Sequence, residues 1–238
     1  MTVPVRTGAP TMLMYHSVAH ERDDPYRITV APDRFARQMR WLARRGLRGV
    51  SVRDLLTAAA TGDGRRLVGL TFDDGYADFV TNALPVLSRL GFGATLFVVA
   101  GKLGGYNDWE ADGPRKPLMS AGDVRDVARQ GIEIGSHTMR HPHLPWTDGE
   151  ELRYEVAASR AVLGDLVSAP VVGFCYPYGD LSAEAEAAVA DAGYGYACAT
   201  WSAARLDRYA LPRTYVGQRD GPLRLTVKLA RHGLTWRR

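Results

Sequence analysis

Cysteine is nearly missing from this chain: Cys175 and Cys198 are the only two in 238 residues. That argues against a disulfide framework, and both sit in apolar runs where a thiol packs as a small hydrophobic side chain. No apolar run approaches the roughly eighteen residues that a membrane-crossing helix needs, so no membrane span is expected. The net charge is only +4, with no dense Lys/Arg run and no basic stretch interleaved with aromatics, which argues against nucleic-acid binding. Part of that charge comes from Arg231, Arg237 and Arg238 in a short basic tail, 223–238, expected to lie in solvent. Residues 1–9 lack a basic segment followed by an apolar one, so the sequence as written predicts no secretory leader and a cytoplasmic location. Internal repeats and low-complexity linkers are absent too.

What is present suits one compact enzyme. Apolar residues make up 46% of the chain and charged residues 24%, enough for a core and too few charges for disorder. Apolar runs at 11–18, 50–52, 67–72, 94–99, 132–136, 171–176, 194–199 and 214–216 read as strands. Helical patterns fall near 32–45, from 53, and at 76–90, 120–130, 148–166 and 182–192. Such alternation implies parallel strands joined by crossover helices, an α/β barrel in a single domain spanning 1–238 with its core at about 11–222.

Two segments carry chemistry. Thr71-Phe72-Asp73-Asp74-Gly75 closes the apolar run 67–72. Two aspartates straight after a buried strand are costly unless solvated, paired or bound to a cation. Neighbouring side chains of a strand point to opposite faces, but a turn at Gly75 would let both carboxylates face one cavity; the alternative is that one of them caps the helix starting near Tyr76. The second segment, Ser136-His137-Thr138-Met139-Arg140-His141-Pro142, closes the run 132–136, and His137, His141 and His143 are three of only six histidines. Spacing of four places His137 and His141 on one face if the segment makes a helical turn. Two imidazoles and a carboxylate are the ligand set of a catalytic zinc site with one position open. Both segments stand at strand C-termini, where barrels place their chemistry.

These segments resemble the polysaccharide deacetylase (NodB-homology) family, carbohydrate esterase family 4. Thr71-Phe72-Asp73-Asp74-Gly75 is similar to its first motif, the His137–His141 segment to its second, and Phe174-Cys175-Tyr176-Pro177-Tyr178-Gly179 to its third. Leu13-Met14-Tyr15-His16-Ser17-Val18, the stretch 35–56 and Leu211-Pro212-Arg213 resemble the branch that includes poly-N-acetylglucosamine deacetylases. The resemblance implies a distorted (β/α)7-type barrel that removes N-acetyl groups from an amino sugar or polysaccharide. It implies Asp74, His137 and His141 as ligands of a divalent metal, usually zinc with cobalt or nickel as alternatives. Asp73 would be the general base, and the Tyr178 backbone N–H would stabilise the oxyanion. Within the long irregular segment 101–117, Tyr106 and Trp109 read as a rim stacking on sugar faces, with Tyr178 and Trp201 as further substrate contacts.

The departures are specific. Cys175 stands where many relatives carry an arginine that orients the catalytic aspartate, and Arg213 is read as taking over that role. The later tryptophan-containing motif has no clear counterpart, since the residues flanking Trp201 do not fit. The late Leu-x-His motif, which supplies the general acid, is missing; His232 in Leu229-Ala230-Arg231-His232 reads as solvated. His16 stands open between a second catalytic histidine and a structural one, and the general acid is unassigned. Two other readings stay open: a related hydrolase of a non-sugar amide or O-acetyl ester, and a catalytically silent carbohydrate-binding protein. A retaining glycosidase is disfavoured, because its carboxylates face each other across about 5 Å and leave the histidines without a role.

Overall fold

Strands and helices alternate over most of the described residues of the computed structural model, which are 10–200, 204–205 and 207–235. The strands are β1 (Met12–Tyr15), β2 (Arg48–Val50), β3 (Leu67–Phe72), β4 (Thr95–Val98), β5 (Glu133–Ser136), β6 (Gly173–Cys175), β7 (Tyr196–Thr200) and β8 (Leu211–Tyr215). The helices are α1 (Pro32–Arg44), α2 (Val52–Thr61), α3 (Leu84–Leu90), α4 (Ala121–Arg129), α5 (Gly149–Arg153), α6 (Ser159–Val167), α7 (Ala183–Asp191) and α8 (Pro222–Thr235).

All pairings between named strands are parallel, in the order β1-β8-β7-β6-β5-β4-β3, and β3 returns to β1 to close a seven-stranded barrel. β2 stands outside the ring. Gly69 pairs with both Met12 and Val50, so β2 occupies the lower part of the β3 edge that β4 takes at Thr71 and Phe72. The ring is irregular at β5–β6, which share one register pair, Ser136 with Phe174.

The period-two alternation of strands sorts the core into two. Leu13, Tyr15, Leu70, Phe72, Leu96, Val98, Phe174, Ala197 and Ala199 face outward and pack under the helices. Met12, Phe97, Cys175, Tyr196, Cys198 and Leu211 face inward and fill the lower barrel. Above that apolar plug the inward positions turn polar: Thr71, Asp73 and Arg213, all buried. The plug therefore forms the floor on which a charged site is held out of water.

Three local features depart from the sequence expectation. The pattern at 76–90 yields no helix at Tyr76; a π-helical turn at Phe79–Ala83 precedes α3, and neither Asp73 nor Asp74 is a helix cap. The run 148–166 is likewise interrupted by a π-helical turn, Tyr154–Ala158. The third is the basic tail, expected to lie in solvent, whose described part belongs to α8. Leu225 and His232 of α8 are fully buried, and the His232 ring lies 3.0 Å from Thr214 Oγ1 of β8. The solvated reading of His232 is thus wrong: Leu225 and Leu229, four residues apart, pack on the core beside buried His232, while Leu223, Val227 and Leu234 stay exposed.

Candidate active site

Asp73 and Asp74 reach one cavity because the chain reverses its handedness directly after β3. Asp74 has φ 71° and Gly75 φ 78°, and the Gly75 N–H donates to Asp73 O at 2.9 Å. Two successive left-handed residues break the strand alternation that would have turned Asp74 away. Left-handed backbone is tolerated best by Gly and, among other residues, by Asp and Asn.

The loop after β5 also differs from expectation. Residues 137–141 form no helical turn; Thr138 (φ 69°) and His141 (φ 65°) both take left-handed backbone. The loop is held from several sides. Ala100 N–H donates to Thr138 O and Gly101 N–H to Met139 O, both at 2.9 Å. The Met139 and Arg140 N–H groups donate to Glu155 Oε2 at 2.8 and 2.9 Å, and His141 N–H donates to Thr138 Oγ1 at 2.9 Å. Glu155 belongs to the π-helical turn, a distortion often found at functional sites. Its buried carboxylate replaces the hydrogen bonds that a helix would have supplied.

These loops bring Asp74, His137 and His141 together. Asp74 Oδ1 lies 3.3 Å from His137 Nε2 and 3.4 Å from His141 Nε2, with all three side chains buried. His137 Nδ1 donates to the Cys175 carbonyl at 2.8 Å, and its Nε2 faces Asp74. Burial pushes the His141 imidazole down to about 4, so its ring is neutral, whereas His137, despite burial, is held well above its ordinary value by Cys175 and Asp74. Burial also opposes charge on Asp74, yet the facing imidazoles of His137 and then His141 hold its carboxyl well below the usual range. Asp74 Oδ1, although it faces both rings, has no hydrogen-bond partner among the described residues. A buried anionic oxygen facing two imidazole nitrogens is a costly arrangement without a cation, and the donor set O, N, N fits zinc and its neighbours.

Beside this triad Asp73 is held rigidly. Arg213 Nη1 donates to its Oδ1 at 2.6 Å and Nη2 to its Oδ2 at 2.8 Å, a bidentate pair with both groups buried. Arg213 also donates to Thr71 Oγ1 at 3.1 Å, and its Nη2 lies 3.0 Å from Cys175 Sγ. Burial alone would raise the Asp73 carboxyl, but Arg213 and then His16 hold it below its ordinary value. Arg213 thus occupies the place expected from the departure at Cys175. That small thiol, its ionisation pushed up to about 11 mainly by burial, leaves the room the guanidinium fills. His16 Nε2 stands 3.8 Å from Asp73 Oδ2, and its Nδ1 is buried without a hydrogen bond.

Both clusters open into one cavity of about 240 Å³, walled by residues that include Met14, Tyr26, Ile28, Trp109, Glu110 and Tyr178. Tyr178 takes φ 58° in the tight turn Pro177–Gly179 after β6, and its ring meets His141 edge-on at 4.6 Å.

The model of the family described as polysaccharide deacetylase matches residues 60–197, more than half of the chain. The chain belongs to the polysaccharide deacetylase family. Its relatives include YxkH of Bacillus subtilis (strain 168), named among the polysaccharide deacetylases, 28% identical over 220 residues that cover 89% of this chain and 74% of that protein. The poly-beta-1,6-N-acetyl-D-glucosamine N-deacetylase of Escherichia coli (strain K12) is 30% identical over 138 residues, 53% of this chain but only 20% of that protein. The fold is shared with the Streptococcus pyogenes deacetylase PplD, solved with acetate, at a TM-score of 0.79 and 21% identity over 94% of this chain and 99% of that one. Membership makes the protein a hydrolase of the deacetylase class.

Within this deacetylase the expected substrate residues fare unevenly. Trp109 lines the cavity, and its ring stacks on His141 at 4.4 Å, so it packs against the Asp74–His137–His141 triad. Tyr106 is not part of the cavity wall; it is 44% exposed and lies under the Arg115 guanidinium at 4.2 Å, because the bridge to Pro117 turns it outward. Trp201 lies outside the described residues. Sequence reasoning missed Glu110. Its Oε2 accepts from Asn107 Nδ2 at 2.7 Å and from the Tyr76 hydroxyl at 3.2 Å, and burial, followed by the Asp74 charge, pushes it up to about 7. Its place directly after Trp109, in a long loop inside a compact domain, was the available signal.

Proposed function

We propose that this deacetylase removes N-acetyl groups from an N-acetylated amino-sugar polymer and releases acetate, with a divalent cation held by Asp74, His137 and His141. Zinc suits the donor set best, and cobalt or nickel would serve. The observation that carries the reading is the convergence of three buried metal-type donors beside an aspartate fixed by a bidentate arginine. The names of the relatives point to the same substrate class: a poly-N-acetylglucosamine N-deacetylase and a chitooligosaccharide deacetylase from Bradyrhizobium, 33% identical over 58% of this chain.

When bound, the cation supplies Lewis acidity, lowering the pKa of water towards neutrality and polarising the acyl carbonyl. The rest falls to the chain's own residues. Asp73, kept ionised by Arg213, takes the proton of the attacking water at a carboxylate oxygen. Arg213 keeps that carboxylate from rotating, and His16 adds a second group against the same Oδ2. The Tyr178 backbone N–H is assigned to the developing oxyanion, since a fixed donor there lowers the barrier. Glu110, near half-protonation at neutral pH, is assigned the delivery of a proton to the departing nitrogen. C–N cleavage then yields acetate and a free amine.

The reading is tested by measuring acetate release from N-acetylglucosamine oligomers, monosaccharide derivatives and O-acetyl esters, before chelation, after chelation and after readdition of zinc. Release from a sugar amide that disappears on chelation and returns with zinc supports it. Release from esters alone would replace it with an esterase.

A further inference from the structure

Trp146 leaves 79% of its surface in water, an unusual situation for so large an apolar ring. It is not on a loose loop. The short 3₁₀ turn Leu144–Trp146 is anchored by fully buried Leu144, and Trp146 N–H donates to His143 O at 3.0 Å. One face of the indole stacks on His143 at 4.2 Å and 27°. His143 stacks in turn on Tyr178 at 3.7 Å and 7°, and its Nδ1 lies 3.0 Å from Asp180 Oδ2, which fixes the ring. Tyr178 lines the cavity and meets the ligand His141 edge-on. A continuous column of rings thus runs from the proposed metal site to open surface, ending in the free face of Trp146.

A flat, rigidly held, half-wet aromatic surface suits a ligand that is apolar on one face and hydroxylated at its edges. Aromatic side chains give such contacts at low entropic cost. A pyranose ring has that character, and the continuity of the column with the cavity wall selects a sugar attached to the residue being deacetylated. We infer that Trp146 is a binding platform for a neighbouring sugar residue, so that this enzyme engages an oligosaccharide outside its catalytic cavity. The inference rests on the deacetylase reading for its substrate, while the platform itself can be tested by binding.

The test compares wild type, Trp146→Ala and Trp146→Phe on N-acetylglucosamine and its oligomers from two to six units. It measures kcat and KM for each, and oligomer binding by calorimetry in an Asp73→Asn background. Trp146→Ala should raise KM for the longer oligomers by about fivefold to tenfold, the worth of one aromatic contact, with kcat and the shortest substrates unchanged. Trp146→Phe should restore most of the affinity. Identical chain-length profiles in wild type and Trp146→Ala would overturn the platform. If no oligomer is turned over by wild type, the deacetylase reading fails on its own. The calorimetry still decides the platform then: hexamer binding that Trp146→Ala weakens upholds it, while equal or absent binding in both proteins overturns it.

Discussion

Replacing Arg213 by methionine isolates the interaction on which the proposed chemistry depends. Arg213 is 1% exposed and makes two hydrogen bonds of 2.6 and 2.8 Å to Asp73. Methionine fills similar space but leaves Asp73 buried, with the His16 and His137 imidazoles as its remaining basic neighbours. Removing one partner of a buried pair costs about 3–5 kcal/mol. For a chain of this size that lowers the melting temperature by about 6–20 °C. The sign of the pH dependence follows from Asp73, whose folded-state pKa is below its ordinary value. The stabilisation from the pair is complete above the unfolded carboxylate pKa of about 3.9 and drains away as pH falls through the folded value. In Arg213→Met burial has lost its main opponent, the carboxyl rises, and the acidic limb of the activity profile moves to higher pH. The stability gap between the two proteins, measured by urea unfolding in chelator, should be widest at neutral pH and narrow below about pH 4. Asp73→Asn/Arg213→Met, which buries no unpaired charge, should be more stable than Arg213→Met. Equal midpoints for wild type and Arg213→Met at pH 7 would refute the reasoning, as would a gap that persists unchanged into acid.

Three further outcomes are expected. Glu110→Gln should lose about 10²-fold or more in turnover of a sugar amide but little on 4-nitrophenyl acetate, whose leaving group needs no proton. Equal losses on both substrates would reduce Glu110 to a structural role. Gly101→Ala would place a Cβ 2.6 Å from Met139 O and push on the loop that carries His141. Zinc affinity by competition titration should fall by about tenfold or more, and unchanged affinity would show that the loop gives way freely. His141→Ala should abolish zinc-dependent thermal stabilisation, and a melting temperature that still rises on zinc addition would remove His141 from the ligand set.

The sequence made the strand ends legible because buried parallel strands are nearly continuous apolar runs: the bounds of β3 match the run 67–72. Asp73, Asp74, His137 and His141 stood out because charge directly after such runs is costly without a purpose. Arg213 was legible through a loss, since Cys175 left a carboxylate in need of a cation. Conformation inside the loops was not legible. The spacing of His137 and His141 suggests a helical turn, yet left-handed Thr138 and His141 and the distant Glu155 decide the outcome. Tyr26, Ile28 and Glu110 reach the cavity from segments without periodicity, placed by tertiary contacts such as Lys116 Nζ bonding Ser17 Oγ at 2.9 Å. The same applies to Tyr106 and Trp109, three residues apart in one loop, one turned outward and the other onto His141.

The most direct test of the central claim separates the metal from the base. Metal content and acetate release from an N-acetylglucosamine oligomer would be measured together for wild type, Asp73→Asn and Asp74→Asn. Wild type should bind one zinc and release acetate steadily, Asp73→Asn should bind zinc without release, and Asp74→Asn should do neither. Release by Asp73→Asn at the wild-type rate, or full zinc retention by Asp74→Asn, would contradict that claim.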